Sequence, residues 1–220
     1  MTKSIIEESF AVIDAEVGDH DFSPAEYAIV RRIIHSTADF EFTHLTQFSP
    51  GAIEAGISAL RHKTPIITDV GMVKQGIMGM VDRTLGNPVI SAVEQATTAN
   101  PGQTRTETGL LKCWEQYPEA IYVIGNAPTA LLALCRQLTT FLDAPRPALV
   151  IGVPVGFISV LESKDALEAL DIPQIRTKGR KGGSPVAAAI VNALLQLAVS
   201  SEQWTVISEK LFSYLYQIWL

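Results

Sequence analysis

Five short β-rich runs are near-continuously apolar rather than alternating: Pro65–Thr68, Pro88–Ile90, Ile121–Ile124, Ala148–Val153 and Pro173–Arg176. A strand with one solvated face alternates polar and apolar residues, whereas a strand covered on both faces does not. These runs therefore predict a mostly parallel sheet with helices on both sides. The segments between them carry helix starts in which a cap or loop residue precedes a proline. Ser23-Pro24 opens a helix towards His35, and Ser49-Pro50 opens one ending near His62 and Lys63. Pro128 opens a third helix and Ser184-Pro185 a fourth. Proline lacks the N–H that the first helical turn leaves unbonded, so it is tolerated there.

Strand, short loop and helix in repetition predict a doubly wound α/β sheet in a single domain over residues 1–199. Ligands of such folds sit beyond the carboxyl ends of the strands. That points to the loops Thr68–Met72, Gly125–Thr129, Pro154–Phe157 and Lys178–Ser184.

Composition narrows the function classes. The chain is 220 residues long, 47% hydrophobic and 18% charged, which suits a buried core and not disorder. Its net charge of −6 excludes generic nucleic-acid binding. Cys113 and Cys135 form no CxxC pair and read as buried reduced thiols. The N-terminal MTKSIIEESF carries two acids and lacks the apolar stretch of a signal peptide. Val186–Val199 is interrupted by Asn192 and Gln196 and falls short of the roughly 20 residues of a membrane span. A cytoplasmic protein with no membrane or nucleic-acid partner is the expectation. His20, His44 and His62 have no partners at metal-ligand spacing, so no metal site and no cofactor are expected.

Lys178-Gly179-Arg180-Lys181-Gly182-Gly183-Ser184-Pro185 is the strongest local signal. Three cations and three glycines precede a helix start, where free N–H groups and the helix dipole favour an anion. The same segment could also be a solvated basic turn. Gly125-Asn126-Ala127-Pro128-Thr129 could offer N–H donors and the Asn126 amide, as could any tight strand-to-helix turn. Gly152–Phe157 is not a GxGxxG, so no dinucleotide is inferred. Glu162-Ser163-Lys164 begins the next helix, and Lys164 either points over the sheet's end or is solvated. Arg32 and His35 share a helix face. His35 is a candidate proton donor or a histidine satisfied at a helix end.

In their order and spacing these segments resemble the precorrin-8X methylmutase family. The resemblance runs over roughly residues 5 to 197. It starts at Glu8-Ser9-Phe10 and continues through Arg32-x-x-His35, Thr68-Asp69-x-x-Met72-Val73 and Thr104-Arg105. It runs on through GNAPTAL at Gly125–Leu131, GVPVGF at Gly152–Phe157, Glu162-Ser163-Lys164 and Gly179–Ser184, and ends through Ala187-Ala188-Ala189 and Asn192-Ala193-Leu194. It implies a doubly wound α/β homodimer that moves a methyl group from carbon 11 to carbon 12 of a tetrapyrrole substrate. The implied product is hydrogenobyrinate or its cobalt-bearing equivalent. His35 matches the family's active-site histidine, which protonates the macrocycle, and Ser9 and Arg32 match substrate-binding positions. The resemblance extends the substrate-binding set to Thr68, Asp69, Arg105, Asn126, Thr129, Glu162, Lys164, Lys178, Arg180, Lys181, Gly182, Gly183 and Ser184.

A macrocycle rimmed with carboxylates needs many cations in one cleft. Arg32, Arg105, Lys164, Lys178, Arg180 and Lys181 would supply them locally on an acidic chain, the arginines through paired hydrogen bonds. The alternatives are a non-catalytic carrier of the same tetrapyrrole, which needs the cations but not His35, and an unrelated anion- or nucleotide-binding enzyme. Residues 200–220 lie outside the resemblance. Trp204, Ile207, Leu211, Leu215 and Ile218 recur at helical steps there, so a C-terminal amphipathic helix dispensable for chemistry is expected.

Overall fold

Residues 5–200 are described by a computed structural model. Six strands, β1 Thr46–Phe48, β2 Ile66–Thr68, β3 Val89–Ser91, β4 Ile121–Ile124, β5 Leu149–Gly152 and β6 Gln174–Thr177, form one sheet in the order β1-β6-β5-β4-β2-β3. All neighbours are parallel except β1, which runs antiparallel to β6 with Thr46 opposite Thr177. The helices are α1 Ile5–Val17, α2 Pro24–Thr37, α3 Phe42–Leu45, α4 Ala52–Arg61, α5 Gly71–Arg83, α6 Arg105–Gln116, α7 Pro128–Thr140 and α8 Val160–Glu168. A last described helix, α9, covers 184–200, and a 3-10 turn spans Ala92–Gln95. The amphipathic segment expected over 200–220 falls, beyond Ser200, outside the described residues.

The strands are apolar throughout because each face has its own core. Ile66, Ile121, Val123, Leu149 and Ile151 pack with α4, α5 and α9, while Ile67, Tyr122, Ile124 and Val150 pack with α6, α7 and α8. Successive side chains point to opposite faces, so burial of both faces leaves no place for a polar alternation. α2 is apolar on two sides. Ile29 and Ile33 join the sheet core, and Val30 and Ile34 face α1 through Ile13 and Phe10. Its start is fixed by a capping box, with the Ser23 hydroxyl accepting from the Glu26 N–H and the Glu26 carboxylate accepting from the Ser23 N–H.

Two local expectations are corrected. Pro50 is not the first residue of α4, which starts at Ala52 after Gly51 in the left-handed region (φ 73°). The Ser49 hydroxyl is used across the sheet edge instead, accepting from the Gln174 N–H and donating to the Ile172 carbonyl. The edge strand β1 adds a sixth strand that the apolar runs did not mark, because Thr46-Gln47-Phe48 is short and mixed.

Strand order places the candidate site. The chain runs from β2 outward to β3, then returns to the other side of β2 as β4. The crevice between β2 and β4 is thus the point where the winding reverses, the place where ligands of such sheets bind. The turns leaving β2, β4, β5 and β6 all open on that carboxyl edge. Gly125 lets α9 close over it: a Cβ there would lie 2.9 Å from the Ala187 Cβ and 3.0 Å from both the Ser184 Cα and Val73 Cγ2.

Candidate active site

At the reversal point the protein supplies its own hydrogen-bond acceptor. Asp69, fully buried after β2, accepts hydrogen bonds from the N–H groups of Asn126 (2.6 Å), Ala127 (2.8 Å) and Val70 (2.9 Å). Burial pushes its carboxyl pKa up, and these N–H groups with that of Gly125 pull it down. The first N–H groups of the β4–α7 turn are therefore occupied. Asp69, expected at the substrate site, holds this turn through its carboxyl group. Thr68 is likewise fully buried, with its hydroxyl 3.5 Å from the Ile90 carbonyl. The Asn126 side chain is exposed on the turn so held. Thr129 bonds the Thr104 hydroxyl at 3.1 Å, which sets the start of α6, and exposed Arg105, beside the start of α7.

The cationic loop Lys178–Gly183 is built with equal definition. Lys164 is buried, and its Nζ donates to the carbonyls of Gly179 (2.7 Å) and Lys181 (2.8 Å). Thr177 also donates to the Lys181 carbonyl (2.9 Å), and the Gly183 N–H donates to the Val153 carbonyl (2.8 Å). A Cβ at Gly182 would collide with that Val153 oxygen, so only glycine lets the β5 and β6 loops meet this closely. Lys178 and Arg180 stay exposed. Lys164, expected to hold a substrate carboxylate, anchors the loop that carries those cations. Ser184 is buried at the start of α9, and Glu162 is exposed on α8.

Burial lowers the Lys164 ammonium pKa from 10.5 to about 8. The folded value lies below the unfolded one, so between pH 8 and 10.5 the unfolded chain holds the extra proton on this group and the contribution of Lys164 to stability rises with pH. Lys164→Met should lower stability by about 1–3 kcal/mol, because two carbonyls lose a buried donor. The gap between wild type and variant should widen from pH 8 to pH 10.5. Thermal melts at the two ends of that window measure both effects, and parallel curves would contradict burial of the charge.

Lys181 joins the loop to the histidine helix. Its Nζ pairs with Asp39 (2.6 Å) and Glu41 (3.1 Å), directly after α2. The hydrogen bond lowers the Asp39 pKa and raises that of Lys181. α2 ends at Ala38 in the left-handed region (φ 52°), and this turn carries the chain from His35 to Asp39. His35 is exposed, and its ring meets the Phe10 ring edge-on at 5.3 Å between centroids. Phe10 also lies 4.4 Å beneath the Arg31 guanidinium, which pairs with Asp14 at 3.0 Å. The imidazole is thus backed by an aromatic ring on one side and open to solvent on another.

Two further expected residues lie on α1 and α2. The Ser9 hydroxyl donates to the Ile5 carbonyl within α1 (2.8 Å). Arg32 is half-buried beside Arg83, the last residue of α5. Burial lowers its pKa, and the positive charge of Arg83 lowers it further. Among the described residues neither guanidinium has a carboxylate partner. Sequence reasoning missed Arg83, and it missed Asp39 and Glu41 as the counter-ions of Lys181. No group of described His, Cys, Asp or Glu residues is arranged to hold a metal ion, and no described helix is long and apolar enough to cross a membrane.

This arrangement can bind carboxylates along one sheet edge and offer an imidazole at the neighbouring helix end. Comparison with known proteins agrees with that chemistry. The family model described as CbiC, precorrin-8X methylmutase, matches residues 4–197. The cobalt-precorrin-8 methylmutase of Synechocystis sp. is 59% identical over 208 residues, covering 88% of this chain and 95% of that protein. The precorrin-8X methylmutase of Sinorhizobium sp. is 37% identical over 198 residues, covering 87% and 92%. A crystal structure of precorrin-8x methyl mutase from Thermus thermophilus superposes with a TM-score of 0.81 at 43% identity, covering 90% of this chain and 99% of that one.

Proposed function

Since the chain belongs to the precorrin-8X methylmutase family, we propose that it isomerises precorrin-8 or its cobalt-bearing form. The reaction moves one methyl group from carbon 11 to carbon 12 of the macrocycle on the way to cobalamin. The observation that carries the reading beyond family membership is the Lys181 bridge to Asp39 and Glu41. It fixes a loop of cations against the end of the helix that bears His35, which suits a substrate with a carboxylate rim and one site of protonation.

In this reading His35, as imidazolium, donates to the macrocycle and withdraws electrons from the ring while the methyl migrates, with no covalent enzyme intermediate. Arg180 and Lys178 take peripheral carboxylates, and Arg105, Asn126 and Thr129 meet the rim at the β4–α7 side. Substrate and product differ only in the place of one methyl. Tight uniform binding would therefore slow release without helping chemistry, so the cations serve to orient. The protein acts as a cytoplasmic homodimer. The matched proteins that name an activity name a methylmutase, which gives the carrier alternative no support.

The cations have a direct test. Arg180→Ala with Lys181→Ala should weaken macrocycle binding roughly tenfold or more at low salt and flatten its salt dependence. Arg180→Ala alone removes a cation and spares the Lys181 bridge, so comparing the two separates charge from tethering. Equal affinity for all three proteins at low and high salt would make the loop a surface turn. Carbon-13 NMR of substrate labelled in the migrating methyl tests the reaction: the signal should move from the carbon 11 to the carbon 12 position, and a labelled methyl that stays put would overturn the assignment.

A further inference from the structure

The β5–α8 connection exposes more apolar surface than a solvated loop of this length needs. Phe157 is 85% exposed, Ile158 83%, Val155 44% and Leu161 42%. Contiguous exposed apolar groups on a folded domain mark a binding surface more often than a chance pattern. Building on the tetrapyrrole reading above, we propose that this segment is the platform on which the flat face of the macrocycle rests, with Phe157 and Ile158 as its contact residues.

The platform and the cationic loop are one body. The Gly156 N–H donates to the Arg180 carbonyl (3.3 Å), and the Gly183 N–H donates to the Val153 carbonyl (2.8 Å). The Arg180 guanidinium lies 6.0 Å from the centre of the Phe157 ring. Gly156 takes φ 141°, a conformation that only glycine adopts with ease, and Ser159 takes φ 57°. These two positive-φ residues bracket Phe157-Ile158 and turn both side chains outward. The result is an apolar surface with the Arg180 cation at its edge.

That pairing selects the occupant. A corrin precursor presents an apolar ring face with carboxylates at its periphery, so the face meets Phe157 and Ile158 while the periphery reaches the cations. A second copy seated through the same patch would be related by a two-fold axis. Such a copy would answer the apolar residues alone, whereas a carboxylate-edged ring also answers the Arg180 cation beside them.

The test is a titration with the reaction product, hydrogenobyrinate, followed by absorbance, together with the oligomeric state measured by light scattering. Phe157→Ser with Ile158→Ser should raise the dissociation constant at least tenfold and leave the salt dependence of binding as in wild type. Phe157→Leu with Ile158→Val keeps the apolar surface and should bind like wild type. Unchanged affinity in the serine variant, with wild type binding normally, overturns the platform alone. Intact affinity with a lost oligomer overturns it in favour of a contact between copies. Wild type that does not bind the product removes the platform and the tetrapyrrole reading together.

Discussion

Replacing His35 with alanine should slow methyl migration by about 10²–10⁴-fold, the range expected for loss of a positioned proton donor. Affinity for the macrocycle should change little, because the lysine and arginine groups that take its carboxylates remain in place. The geometry favours this separation. His35 lies on the exposed side of α2, edge-on to Phe10, while the cations are carried by a loop with its own anchors in Lys164, Thr177 and Val153. Fold and oligomer should persist, since an exposed side chain is lost. Steady-state turnover and product titration of the variant measure the two effects apart. A variant that isomerises at near wild-type rate removes His35 from the mechanism.

Asp69→Ala should be the most damaging single change to the sheet edge, costing about 3 kcal/mol or more. It strands backbone N–H donors where water cannot replace the lost acceptor. That is a large share of the roughly 5–15 kcal/mol by which domains are stable. Asp69→Asn should not rescue it, because an amide presents N–H to N–H at one of the two oxygen positions. Denaturant unfolding gives the stability. Activity should fall as well, through displacement of the Gly125–Ala127 turn. An asparagine variant of wild-type stability would show that the turn needs only the shape of the side chain and not its two acceptors.

The central strands and the doubly wound order were legible because burial on both faces leaves an unbroken apolar signature. β1 was not, since a three-residue edge strand pairs on one side only and carries no such signature. The loops of the candidate site were legible as loops. Their inner wiring was not: Asp69 and Lys164 bond almost wholly to backbone groups, and those have no identity in the sequence. Asp69 entered the expected site through the family resemblance and Lys164 through its place near the sheet's end, and neither signal marks the backbone groups that each one bonds. The Lys181–Asp39 pair joins residues 142 positions apart and becomes visible only once β1 and β6 are adjacent. Ser49 was misread for a related reason. A serine before a proline looks like a helix cap until its hydroxyl finds the Gln174 N–H across the edge.

One measurement bears most directly on the account: the absorbance spectrum of precorrin-8, or its cobalt form, mixed in large molar excess with the purified protein and followed over time. An isomerase converts the whole pool, with clean isosbestic points and a rate proportional to protein. A carrier perturbs at most one equivalent per site and then stops. Complete conversion by wild type, absent in His35→Ala, is the predicted result. A stoichiometric shift that saturates at one macrocycle per subunit would contradict it.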